Sequence, residues 1–145
     1  MISTRGRYAV RLMIELAERA GETVPMHRIA AEQEISPKYL EKILPPLVRA
    51  GLVCGTHGKG GGYRLAVSPQ ECTVADILHA AEGSMAPVAC LEGGVVRCER
   101  SSCCKTLAMW QEYYRLSEDY FGGITLASLT TSRREDTAAG KTVEA

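Results

Sequence analysis

Apolar side chains recur at helical spacing in two stretches at the start of the chain. In the first stretch they fall three or four residues apart, at Ala9, Leu12, Met13, Leu16, Ala17 and Ala20. This spacing predicts a helix from about Tyr8 to Ala20, and Gly21 is well suited to end it. A shorter helix is predicted over residues 26–34, with Pro25 near its first turn.

A third helix is predicted from Pro37 towards Ala50, because Ser36 is a favourable N-cap and proline suits the first helical position. Its apolar face comprises Leu40, Ile43, Leu44, Leu47 and Val48. Proline inside a helix costs about 3 kcal/mol, so the pair Pro45-Pro46 predicts a kink or a break near Leu44. Two short helices joined by a tight turn are typical of a helix-turn-helix.

Two candidate strands follow, at residues 52–56 and 63–67, and the six residues between them include four glycines. Glycine tolerates positive φ angles and close approach of other backbone. A β-hairpin directly after a helix-turn-helix is a wing. The predicted fold class is therefore mainly α with a small β-hairpin, a winged helix-turn-helix. The glycine-rich loop lacks the Gly-Lys-Ser/Thr ending of a phosphate-binding loop, so nucleotide binding is not expected there.

The second half of the chain contains two further predicted helices. One runs over residues 73–82 with Thr73 as N-cap, and a long one runs from about Cys104 to Phe121. The long helix carries a broad apolar belt, which favours a symmetric dimer with helix packed on helix, the alternative being burial within one subunit. The residues predicted at the dimer interface are Leu107, Trp110 and Tyr114 on one flank of the belt and Tyr113, Leu116 and Tyr120, together with Met109, on another.

The net charge of zero conceals a segregation of charge along the chain. Residues 1–68 hold ten Lys and Arg against six Asp and Glu, whereas residues 69–145 hold seven against eleven. A basic half that contains a helix-turn-helix suits binding to a polyanion such as DNA. The alternative is a chance segregation of solvated charges.

In a winged helix-turn-helix the second helix enters the DNA major groove, where base edges can be distinguished. The candidate groove-facing residues are Ser36, Lys38, Tyr39, Glu41 and Lys42. Lysines suit phosphates, and a glutamate can accept a hydrogen bond from cytosine N4. On the wing, His57 and Lys59 are candidates for the minor groove or its phosphates, and Arg5 and Arg7 for the DNA backbone. The plain alternative for each is a solvated surface residue.

Four of the six cysteines, Cys90, Cys98, Cys103 and Cys104, lie within fifteen residues. The chain shows neither a signal peptide nor an apolar run of membrane-spanning length, which predicts a cytoplasmic protein without a membrane partner. Thiols stay reduced there, and a cluster of them indicates metal or redox chemistry. The gaps of seven and five residues lack Cys-x-x-Cys pairs, so an iron–sulfur cluster is favoured over zinc, with free structural thiols as a third alternative.

These motifs, taken together and in this order, resemble the Rrf-two family of bacterial winged-helix transcriptional regulators, the group that includes IscR, NsrR and RirA. The resemblance covers roughly residues 1–128. The motifs that carry it are Ser3-Thr4-Arg5-Gly6-Arg7-Tyr8-Ala9-Val10, Ile35-Ser36-Pro37-Lys38-Tyr39-Leu40-Glu41, Gly51-Leu52-Val53, Gly58-Lys59-Gly60-Gly61-Gly62-Tyr63, the cysteine triplet, Leu107-Ala108-Met109-Trp110 and Ile124-Thr125-Leu126.

The resemblance implies a homodimer that binds a palindromic double-stranded operator. It implies that Cys90, Cys98 and Cys104 ligate an iron–sulfur cluster. It also assigns operator contacts in the major groove to Ser36, Tyr39 and Glu41, and a minor-groove contact to the wing residue at position 57. IscR has arginine at that position where this chain has histidine, so the contact is expected to be weaker or pH-dependent.

The fourth cluster ligand is where the chain departs from its relatives. Leu107 occupies the place of the histidine that completes a two-iron cluster in IscR-like members, and Arg7 that of the partner's aspartate in NsrR-like members. Cys103 is the candidate within the segment, and a partner residue or an exogenous ligand are alternatives. The cysteine spacing is most similar to RirA- or NsrR-type members, which favours a [4Fe–4S] cluster, with [2Fe–2S] as the alternative.

The sequence therefore predicts a DNA-binding regulator, a repressor that senses iron, iron–sulfur status, redox state or nitric oxide through a cluster. The alternative is a cluster-free regulator of the same family that uses its cysteines for thiol or zinc sensing. An enzyme is not expected, because His27, His57 and His79 are scattered. The predicted organisation is a DNA-binding domain at residues 1–82, a cluster-binding loop at 83–104, a dimerisation helix and its end at 105–130, and a flexible tail at 131–145.

Overall fold

The computed structural model of the chain describes residues 2–131. Its elements are α1 (Thr4–Glu18), α2 (Met26–Gln33), α3 (Pro37–Arg49), β1 (Val53–Thr56), β2 (Gly62–Leu65), α4 (Val74–Glu82) and α5 (Leu107–Gly122). The two strands pair antiparallel, with Val53 opposite Leu65 and Thr56 opposite Gly62. This arrangement confirms the predicted winged helix-turn-helix. The tail predicted beyond residue 131 lies outside the described residues.

Helix α1 begins four residues earlier than the apolar spacing predicts, because polar groups complete its first turn. The Ser3 hydroxyl accepts hydrogen bonds from the amides of Arg5 and Gly6. Glu82, the last residue of α4, accepts from the Ser3 amide at 2.9 Å and from the Gly6 amide at 3.1 Å. The end of α4 therefore caps the start of α1.

Helix α3 continues from Pro37 to Arg49, so the predicted break near Leu44 is absent. The prolines at 45 and 46 remove only two intrahelical hydrogen bonds, those to the carbonyls of the exposed residues Glu41 and Lys42. Apart from Val48, the apolar face of the helix is buried in the core on both sides of the prolines. Val48, predicted to be buried, is 40% exposed, because it lies about 100° around the helix from Leu47.

A single core joins the first four helices and the hairpin. Its largest fully buried side chains include Leu12, Met13, Leu16, Ile29, Leu40, Ile43, Leu47, Ile77 and Leu78. Leu126, which follows α5, is also fully buried in this core, and its amide donates to the Cys72 carbonyl at 2.9 Å. The chain therefore leaves this core through α5 and returns to it. Within residues 2–131, no helix is long and apolar enough to span a membrane.

The wing is joined to the rest of the domain by residue 24. The amide and carbonyl of Val24 pair with those of Tyr63 at 2.8 and 2.9 Å. At the neighbouring Gly62, an added Cβ would lie 2.3 Å from the Val24 carbonyl oxygen. Only glycine fits this close crossing of two backbones.

We expect Gly62→Ala to lower the free energy of unfolding by about 1–3 kcal/mol, because the new methyl group forces the two backbones apart. Urea denaturation followed by circular dichroism measures the effect. Gly122→Ala is the matched control, since nothing lies within 4 Å of its added Cβ. Equal midpoints for the two variants would contradict the close crossing.

Candidate nucleic-acid interface and cysteine segment

The start of α3 presents a group of polar side chains to solvent. Lys38, Glu41 and Lys42 are exposed within the first two turns. The Ser36 hydroxyl accepts a hydrogen bond from the Tyr39 amide at 3.2 Å, so it caps the helix as predicted. The structure thus brings together the residues predicted to face the major groove.

Tyr39 differs from its exposed neighbours because it is half-buried. Its ring packs edge-on against the ring of Tyr8 in α1, with centroids 5.6 Å apart and an interplanar angle of 81°. This contact could not be predicted from local sequence patterns, since the two tyrosines lie in different helices. Tyr39 is therefore held in place before any ligand arrives.

The wing loop projects two of the predicted DNA-contacting side chains. His57 and Lys59 are both exposed. Between and after them, Gly58 and Gly60 have φ angles of +90° and +79°, which favour glycine. The Gly61 amide closes the turn by donating to the Gly58 carbonyl at 2.9 Å.

The two arginines predicted to hold the DNA backbone have different surroundings. Arg7 is exposed on α1. Arg5 instead lies against Glu82, with 3.9 Å between Nη2 and the carboxylate. Glu82 was missed by sequence reasoning, because it meets the N-terminus of α1 only in the folded chain.

The cysteine segment, residues 90–104, is folded by backbone hydrogen bonds between residues that are close in sequence. The Arg97 amide donates to the Cys90 carbonyl at 2.8 Å, which brings the chain next to Cys98 back towards Cys90. Two further turns follow, from Cys98 to Ser101 and from Arg100 to Cys103. Cys104 has extended backbone and precedes α5, which begins at Leu107 and not at about Cys104 as predicted.

The donor chemistry of this segment fits a sulfur-ligated cluster. None of the cysteines forms a disulfide, and Cys98, Cys103 and Cys104 are exposed. Hydrogen bonds from Thr106 lower the pKa of the Cys104 thiol, and thiolates are the ligands of iron–sulfur clusters. Among residues 2–131, no three His, Cys, Asp or Glu side chains meet in a metal-binding group. The segment therefore contains the cysteine thiols that a cluster would need, but in this structure the thiols do not lie close enough together to form a metal site.

We expect maleimide to label the segment thiols rapidly in the metal-free protein and Cys72 only after unfolding. Cys72 is 3% exposed, and burial, with a smaller effect of Asp76, raises its pKa to about 11. Both conditions suppress the reactive thiolate. Peptide mass spectrometry with and without urea measures the labelling. Labelling of Cys72 at the rate of Cys98 in the native protein would contradict the structure.

One face of α5 leaves large apolar side chains exposed. Met109, Tyr113, Leu116 and Tyr120 are 54%, 57%, 53% and 66% exposed. Their spacing of four, three and four residues is that of a coiled-coil seam. Beside the seam, Arg115 pairs with Glu112 at 2.7 Å and with Asp119 at 2.6 Å.

The opposite side of α5 faces its own subunit. Leu107, Trp110 and Tyr114, also predicted at the dimer interface, are only partly exposed. His79 of α4 lies 2.8 Å from the Glu118 carboxylate and links the two helices. The apolar belt thus divides into a flank facing the subunit and an exposed seam.

Comparison with known proteins identifies the family. The family model described as "Rrf2: Iron-dependent Transcriptional regulator" matches residues 2–132. The chain belongs to the Rrf2 family. IscR of Aliivibrio salmonicida, named an HTH-type transcriptional regulator, is 35% identical over 129 residues, 88% of this chain and 76% of that protein.

Two solved structures of Rrf2 relatives have the same fold. CymR of B. subtilis, described as the global cysteine regulator, matches with a TM-score of 0.73 and 33% identity, covering 91% of this chain and 97% of that one. IscR of T. potens matches with a TM-score of 0.73 and 31% identity, covering 99% and 93%. These matches confirm the fold class and the family resemblance, and they make the chain a transcriptional regulator that binds DNA. The named relatives are regulators, which supports the interpretation that this Rrf2 protein is not an enzyme.

Proposed function

We propose that this Rrf2 protein is a homodimeric repressor whose binding to a palindromic operator is controlled by an iron–sulfur cluster. The observation that supports the proposal most is that four free cysteines lie close together in the sequence, between the DNA-binding domain and α5. The proposed division is a DNA-binding unit at residues 1–82, a cluster-binding loop at 83–104 and a dimerisation unit at 105–130. Leu126 adds a return contact from that last unit to the DNA-binding core.

Cys90, Cys98 and Cys104 would hold the cluster, with Cys103 as the candidate fourth ligand. A bound cluster supplies a centre that is sensitive to oxidants, nitric oxide and iron supply. Leu107, at the first residue of α5, has no ligating atom. The resemblance of the thiol spacing to that of RirA- or NsrR-type members favours a [4Fe–4S] cluster, and [2Fe–2S] is the alternative.

The cysteine segment connects the end of α4 to the start of α5. A bound cluster would hold that segment in one conformation and so fix the angle between the DNA-binding unit and the dimer helix. The second half of α5 is already attached to the DNA-binding unit through the His79–Glu118 pair and the buried Leu126. Release of the segment would change the separation of the two α3 helices. Half-sites about 34 Å apart would then no longer be matched.

Operator recognition would use the exposed start of α3 together with the wing. Lys38 and Lys42 suit phosphates, and Glu41 suits cytosine N4. Ser36 and Tyr39 complete the major-groove group. His57 and Lys59 would reach the adjacent minor groove, and Arg5 and Arg7 lie at the start of α1 for backbone contacts.

An absorption spectrum with iron and sulfide analysis, on protein purified without oxygen, tests the proposal. A broad band at about 400 nm and about four irons per subunit support the four-iron cluster. About two irons with structured visible bands support the two-iron alternative. A colourless protein would contradict cluster control and leave the DNA-binding assignment standing.

The second candidate is a cluster-free regulator that senses thiol redox state or zinc. The match to CymR, described as a cysteine regulator, favours it. A colourless preparation with bound zinc, or with operator binding that responds to thiol oxidants, would support this candidate.

A further inference from the structure

A stack of side chains connects the first helix to the recognition helix. The Tyr8 ring lies between the ring of Tyr39 and the guanidinium of Arg11, whose Cζ is 5.3 Å from the Tyr8 centroid. An edge-to-face ring pair and a cation above a ring are both favourable arrangements. The three side chains therefore form one contact series, from Arg11 through Tyr8 to Tyr39.

The series is anchored at the end away from Tyr39. Arg11 Nε donates to Gln33 Oε1 at 3.3 Å, and Arg11 Nη2 donates to the Gln33 carbonyl. Gln33 in turn donates from Nε2 to Glu15 Oε2 at 2.8 Å, and Glu15 is only 6% exposed. The guanidinium is thus fixed to the C-terminal end of α2 by a network that reaches a buried carboxylate.

Among the predicted groove-facing residues, Tyr39 is the one that packs against this series, through the Tyr8 ring. Lys38 and Glu41 beside it are exposed. A side chain that is already ordered loses less conformational freedom when it meets its ligand, so its contacts contribute more to affinity and to selectivity. The position of Tyr39 then depends on side chains of a different helix, α1.

We propose that Tyr8 and Arg11 are positioning residues for operator recognition, which act by holding the Tyr39 ring at the DNA-facing start of α3. This inference rests on the proposed function, in which Tyr39 contacts the operator. It assigns a role to two α1 residues that lie behind the recognition helix. A purely structural stack would instead contribute to stability alone.

The test measures affinity by fluorescence anisotropy for two duplexes, an operator selected from a random pool by the wild-type protein and a scrambled version. We expect Tyr8→Leu to weaken operator binding about tenfold and to leave scrambled-DNA binding unchanged. Tyr8→Phe keeps the ring and retains wild-type affinity. Arg11→Met, which keeps the aliphatic stem, weakens operator binding in the same direction. Ile29→Val is the stability control, because it lowers the melting temperature without touching the stack.

A double substitution separates positioning from stability. In a Tyr39→Ala background the effect of Tyr8→Leu on operator affinity should disappear, because the side chain that it positions is gone. An undiminished effect in that background overturns the inference, as does equal weakening on operator and scrambled DNA. If the wild-type protein selects no sequence from the pool, the proposed function fails and the inference with it. A selected operator with unaffected Tyr8 and Arg11 variants overturns the inference alone.

Discussion

Cys98→Ala is expected to abolish both the visible absorbance of the protein and its cluster-dependent binding to the operator. Cys98 is the middle thiol of the predicted ligand triplet, and an alanine removes one of the thiolates that would hold the cluster. Operator affinity should then fall towards the non-specific level, about a thousandfold weaker. The fold should survive, because Cys98 is exposed and lies outside the core.

The measurement is iron, sulfide and absorbance on anaerobically purified protein, followed by operator binding on the same sample. Cys54→Ala is the matched control for cluster content, because Cys54 lies on β1, away from the cysteine segment. Unchanged absorbance in Cys98→Ala would remove this residue from the ligand set. Lost absorbance with full operator binding would instead separate the cluster from DNA recognition.

Leu116→Lys is expected to convert the proposed homodimer into monomers. Leu116 is 53% exposed in the single subunit and lies in the middle of the α5 seam, so lysine is tolerated there by the monomer. In a symmetric dimer the substitution buries two unpaired charges, each at a cost of several kcal/mol. Dimer affinity should therefore fall at least about a thousandfold.

Sedimentation at micromolar concentration measures the effect as a halving of the molecular mass. Gln111→Lys, an exposed position of α5 outside the seam, is the matched control and should remain dimeric. Operator affinity should fall with Leu116→Lys, because a monomer engages the two half-sites independently. An unchanged dimer mass would place the interface elsewhere.

Elements governed by neighbouring residues could be predicted from the sequence. Helix α2 begins at Met26 as predicted, directly after Pro25. Thr73 caps α4: its hydroxyl accepts a hydrogen bond from the Asp76 amide at 3.2 Å, and the Asp76 carboxylate accepts one from the Thr73 amide at 2.9 Å. The wing follows from two apolar runs around a glycine-rich loop. Each of these signals lies within a few residues of the structure that it determines.

Features that depend on distant residues could not be predicted. The start of α1 requires Glu82, and the burial of Leu126 requires the chain to return after α5. Pro45-Pro46 predicts a break from local propensity, yet core packing on the other face of α3 outweighs it. The candidate DNA-contacting residues were identifiable by type and position, whereas the stack behind Tyr39 joins separate helices.

The cap that Glu82 places on α1 has a consequence for the order in which the protein is made. Its hydrogen bonds join residues that are 76 and 79 positions apart, so the first helix is completed only after α4 has left the ribosome. The thiols emerge directly afterwards, at residues 90–104. The nascent chain can therefore complete the start of α1 before the four cysteines of the segment have been made, whereas Leu126 joins the core only after them.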